Sequence, residues 1–208
     1  MSDSCCQGSV DTSALQARQR RVLAAVLAIN AATFIMMIVA ATLSGSSALL
    51  SGALDNLGDA LTYALSFAVV GSAIAAKAKV ALFKGTLIMG AAVAVAIQIS
   101  WRLFHMETPI FETMSIAAIA NLAANAGCLA LLHPYRHNDV NMSSVWECSR
   151  NDVFEGFAVI AAALFVWLFD SGWPDLLIAL ALLIMFVRSA FRVLLSAWRD
   201  LGTTVTAT

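Results

Sequence analysis

Two aspartates four residues apart, in Asp55-Asn56-Leu57-Gly58-Asp59, interrupt an otherwise apolar stretch, and Cys148 and Asp152 repeat the spacing later in the chain. On a helix, residues at i and i+4 share a face about 6 Å apart along the axis, so both side chains can converge on one object. Two carboxylates that close repel each other, and a divalent cation between them offsets the repulsion. Three carboxylates and one thiolate supply four donors. A tetrahedral set of oxygen and sulfur suits Zn2+ and leans toward softer metals such as Cd2+. Mg2+, which prefers six oxygens, is disfavoured. Asn151 and Glu155 are also four apart at nearly the same depth, and Glu147 adjoins Cys148 on a different face, so these three are alternative ligands. Cys128 has no partner at a ligand spacing and reads as packing.

The elements that must hold these groups are membrane helices. Of the 208 residues, 61% are apolar and 12% charged, against about 25% charged in a soluble domain. With 12 Lys+Arg against 13 Asp+Glu, no basic face is available for nucleic acid. Val22 to Leu43 runs without a charge, and about 20 apolar residues suffice to cross a bilayer. Further apolar stretches cover about Ala48 to Ala76, Gly85 to Leu103, Phe111 to Leu132, Ser143 to Phe169 and Trp173 to Ala197. Lys77 to Lys84, Thr108-Pro109, His133-Pro134 and Ser171-Gly172-Trp173-Pro174 punctuate them as loops. The expected fold is an all-α integral membrane protein with six transmembrane helices.

Arg18, Arg20, Arg21, Lys77, Lys79, Lys84, Arg136, Arg192 and Arg199 all fall on one side of that arrangement. Basic residues of short loops stay in the cytoplasm, so both termini are expected there. The opposite loops carry Arg102, Glu107, Glu112, Asp170 and Asp175. The chain divides into a polar cytoplasmic tail (1–21), a transmembrane domain (22–197) and a short cytoplasmic tail (198–208).

An ionised carboxylate near the bilayer centre costs on the order of 3 kcal/mol, so Asp55, Asp59 and Asp152 read as functional. Asn30, Asn121 and Asn125 must face protein or a water-filled cavity, and either bridge helices or line a path. His133, His137 and Asp139 around Pro134 form a cluster that could collect metal at a cytoplasmic entrance. Cys5 and Cys6 read as reduced thiols in a disordered tail.

The segment Ala48 to Ala60, with its small residues and paired aspartates, resembles the second transmembrane helix of the cation diffusion facilitator family. Val140-Asn141 through Trp146 to Asp152 is similar to a second family pattern, a Leu-Asn pair, an aromatic residue and then HxxxD on helix five. In that register Cys148 takes the histidine's place. The resemblance implies efflux of a divalent metal, with Zn2+ or Cd2+ as cargo and no prosthetic cofactor. Protons are then the counter-substrate, exchanged at Asp55, Asp59, Cys148 and Asp152 by alternating access. It also implies a chain without the family's usual C-terminal ferredoxin-like domain, so a homodimer would be held through transmembrane helices. A bacterial inner membrane is the expected location. Two other classes compete: a membrane metal sensor or scaffold that binds without transport, and an intramembrane aspartyl protease. The protease motif Gly-x-Gly-Asp lacks its first glycine here, where the residues read Asn56-Leu57-Gly58-Asp59.

Overall fold

The computed structural model describes residues 12–68, 74–136 and 140–205. Among these, six long helices and one 3-10 turn account for nearly the whole chain: α1 (Thr12–Ser44), α2 (Ser47–Ala68), α3 (Ile74–Phe104), α4 (Phe111–Leu132), the 3-10 turn His133–Tyr135, α5 (Val140–Phe169) and α6 (Trp173–Val205). Arg18–Ser44, Gly85–Phe104, Phe111–Tyr135 and Cys148–Phe169 are long and apolar enough to cross a membrane. In the remaining two helices no described window reaches that standard. For α2 the cause is visible in its sequence, where Ser51, Asp55, Asn56, Asp59 and Thr62 dilute the apolar residues.

Several helices run further than the sequence expectation. The stretch Lys77 to Lys84, read as a loop, lies inside α3, as do Ile74 to Ala76; α1 starts in the polar tail at Thr12; α5 starts at Val140; and α6 runs on to Val205. Hydropathy marks where a helix leaves hydrocarbon, not where its hydrogen bonds stop. Ala and Lys are both strong helix formers, so Ala-Ala-Lys-Ala-Lys-Val-Ala continues a helix beyond the apolar run.

The helices are arranged around α2, which packs against all five others, while α3 and α6 pair extensively, as do α4 and α5. From Ser47 to Tyr63 no residue of α2 is exposed. This is how a helix with two acids can exist here: none of its polar groups up to Tyr63 is left on an exposed face. Large apolar residues on the other helices point outward instead, Ile97 and Phe154 at 65% exposure among them.

The three short turns α1–α2, α3–α4 and α5–α6 meet at one end of the bundle, called here the hairpin end; the opposite end is the termini end. Gly45 turns the chain at φ +70°, a conformation only glycine adopts freely, and a Cβ there would stand 2.9 Å from the Arg102 guanidinium. A Cβ on Gly172 would come within 2.5 Å of the Glu107 carbonyl oxygen. Ile110 N–H donates to Ser44 O at 2.9 Å, and the Arg102 guanidinium donates to Glu107 O, also at 2.9 Å.

Asp175 completes this end. Its carboxylate, fully buried, accepts from Ser46 Oγ (2.5 Å), Ser47 N–H (2.7 Å) and Ala48 N–H (3.1 Å). An acid from α6 thus caps the first turn of α2, where the orphan amides and the helix dipole favour negative charge. Arg102 also stands within electrostatic reach. From the sequence Asp175 is expected in a loop; it lies in the first turn of α6.

Candidate metal centre

Two apolar clusters leave a polar layer between them. The larger gathers small and branched residues from all six helices toward the hairpin end, among them Met37, Leu49, Ala53, Met114, Val159 and Leu182. The smaller consists of Val26, Tyr63, Cys128 and Leu132, with Trp146 packed against it, toward the termini end.

Into the layer α2 brings Asp55, Asn56 and Asp59, and α5 brings Asp152 and Glu155. The Asp55 and Asp152 carboxyls lie at hydrogen-bonding range. Two carboxyls that close must share a positive charge, a proton or a cation. Asp152 is buried and Asp55, Asp59 and Glu155 are half-buried. Glu155, one turn beyond Asp152, is within electrostatic reach of both Asp55 and Asp59. Asp59 Oδ2 accepts a hydrogen bond from the Tyr63 hydroxyl at 3.0 Å. Between the two aspartates, buried Asn56 donates through Nδ2 to Asn121 Oδ1 on α4 at 2.8 Å, which fixes the rotation of α2 about its axis.

Of the ligands expected from sequence, then, Asp55 and Asp152 meet, and Asp59 and the alternative Glu155 lie within electrostatic reach of them. Cys148 is exposed, one turn from Asp152, and close enough to act electrostatically on the Tyr63 phenol. Asn151 is on an exposed face of α5. The Glu147 side chain lies outside what is described. Arg150, the one basic residue near Asp152 in sequence, is exposed and stacks over the Trp146 ring at 5.4 Å. Among the described residues, no three His, Cys, Asp or Glu side chains are grouped so as to hold a metal ion. The carboxyls therefore share a layer without forming a finished cage.

Asn30 and Asn125 are buried in the same part of the bundle. Asn30 Nδ2 donates to Val26 O at 3.0 Å and lies 4.0 Å from Cys128 Sγ, and the Oδ1 atoms of Asn30 and Asn125 have no hydrogen-bond partner. Asn121 bridges helices through Asn56. His133 is exposed, with the Arg136 guanidinium against its ring nitrogens. His137 and Asp139 fall outside the described residues, as do Cys5 and Cys6.

Sequence reasoning missed Asn56, Tyr63 and Asp175. Tyr63 carries a readable signal, since it stands four residues after Asp59 on the same helical face. Asp175 has none, because its partners are 127 to 129 residues away.

No curated protein matches the chain. Residues 23–201 match the family model of the cation efflux transmembrane domain, so the chain belongs to the cation diffusion facilitator family, whose members are multi-pass membrane transporters that export metal cations.

Proposed function

We propose that this family member exchanges cytoplasmic Zn2+ or Cd2+ for protons at a site made by Asp55, Asp59, Asp152 and Cys148, with Glu155 as the nearest additional carboxylate. The observation that carries the reading is the meeting of Asp55 from α2 with Asp152 from α5 in a buried layer. Metal ligands must be deprotonated, so an arriving cation displaces protons from these groups, and protons returning from the other side eject it. Coupling needs no further chemistry. A carrier must not hold its cargo too tightly to release it, which a site of several protonatable ligands allows. In this reading the termini end faces the cytoplasm of a bacterial inner membrane, and copies associate through their helices as a homodimer. Asn30, Asn121 and Asn125 line the path, and His133 with His137 and Asp139 stand at its cytoplasmic mouth.

The test is Zn2+ and Cd2+ flux into proteoliposomes with a pH dye inside. Metal movement accompanied by opposite proton movement, with apparent metal affinity rising as pH rises, supports antiport. Saturable binding without flux by folded protein would instead make the molecule a sensor or scaffold.

A further inference from the structure

We propose that Tyr63 is the positioning residue of this centre and the closure of its termini-end approach, its hydroxyl orienting Asp59 and its ring sealing the bundle beneath the polar layer. The inference rests on the site reading above. Tyr63 is 2% exposed. Its hydroxyl donates to Asp59 Oδ2 at 3.0 Å, and the phenol lies within electrostatic reach of Asp59, Asp152 and Cys148, three of the four proposed ligands. A buried tyrosine usually satisfies its hydroxyl. This one does so on the Asp59 carboxylate. A hydroxyl that donates to a ligand carboxylate sets the orientation in which it meets a cation, as donors behind a ligand commonly do.

The ring has a separate task. Val26 from α1, Tyr63 from α2 and Cys128 with Leu132 from α4 form one buried cluster, and Trp146 of α5 packs on it. Four helices each contribute an apolar side chain to this level. A constriction of this kind excludes water and hydrated ions until side chains separate. Tyr63 is the member that touches both the seal and a proposed ligand. A cation that draws Asp59 toward itself therefore pulls on the seal, which links loading to closure through one side chain.

Removing the hydroxyl and removing the ring separate the two tasks. Tyr63→Phe is expected to raise the KM for Zn2+ roughly 10- to 100-fold while maximal flux stays within a factor of about two. Cys128, next to the ring, reports on the seal: an impermeant maleimide added from the termini side should label it slowly in wild type and Tyr63→Phe. In Tyr63→Ala labelling should be at least about tenfold faster, with Cys148 as internal reference and peptide mass spectrometry assigning the sites. Tyr63→Leu replaces Tyr63→Ala should the latter lose its monodisperse elution.

A KM within twofold of wild type in Tyr63→Phe overturns the positioning role. Unchanged Cys128 labelling in the truncated variant overturns the seal. Asp59→Asn, run alongside, tests the underlying reading: wild-type flux and KM there would mean that the site itself is misassigned, whatever Tyr63 does.

Discussion

The two ends of the bundle are closed in different ways. At the hairpin end a buried carboxylate, three donors on the α1–α2 turn, the Arg102–Glu107 contact and the Ser44–Ile110 bond tie four helices and two turns together, above a broad apolar cluster. At the termini end the described residues form one small apolar cluster, whose tyrosine also holds a site residue. Directional bonds to a buried charge are lost all at once when geometry changes, whereas an apolar contact yields gradually. The hairpin end therefore acts as the anchor from which α2 hangs. In the proposed cycle the termini end is the side on which cargo first meets the polar layer.

Substitutions in the two regions should separate function from stability. Largest is Asp59→Ala, expected to reduce metal-dependent flux to the level of empty vesicles while the protein remains membrane-inserted and thermally as stable as wild type. Normal flux in that variant would remove the site. Next, Asp175→Ala leaves Ser46 Oγ and two backbone amides without their acceptor, and should cost ~2 to 3 kcal/mol, visible as a lower melting temperature in detergent. Asp175→Asn should recover part of the loss, since an amide oxygen can still cap. A melting temperature equal to wild type in Asp175→Ala would break the contrast between the ends.

A smaller effect is expected within the layer. Asn121→Ala leaves the Asn56 amide buried and unpaired, at about 1 to 2 kcal/mol, and lets α2 rotate, so flux should fall more than stability does. Flux and melting temperature falling together would reduce the Asn56–Asn121 bond to simple packing. Smallest is Cys148→Ser, expected to lower Cd2+ transport by a factor of a few and Zn2+ transport less, because oxygen replaces the soft donor. Equal changes for both metals would take Cys148 out of the ligand set.

How much of this was readable in advance follows from range. The shared face of Asp55 and Asp59 is a property of one helical turn. Their meeting with α5 is in reach of helix rise alone, since both pairs stand well inside their helices within a core of about 30 Å. Tyr63 was within reach of the same arithmetic, but an aromatic residue in a membrane helix reads first as packing. Asp175 could not be placed. Beside Gly172 and Pro174 it looks like a loop acid, and its role exists only once α6 has docked on α2. The lysines of α3 were misread for a different reason, because charge ends an apolar run without ending a helix. Cys148 shows the limit from the other side: its spacing to Asp152 was legible, its exposure was not.

The absence of any exposed residue in α2 from Ser47 to Tyr63 has a consequence for how such a chain can change over time. A helix with a lipid-facing side has positions where any greasy residue serves, and drift collects there. Here every position over more than four turns has neighbours to satisfy, so a saturation library should find α2 the least permissive segment of the molecule, at its alanines and glycines as much as at its acids.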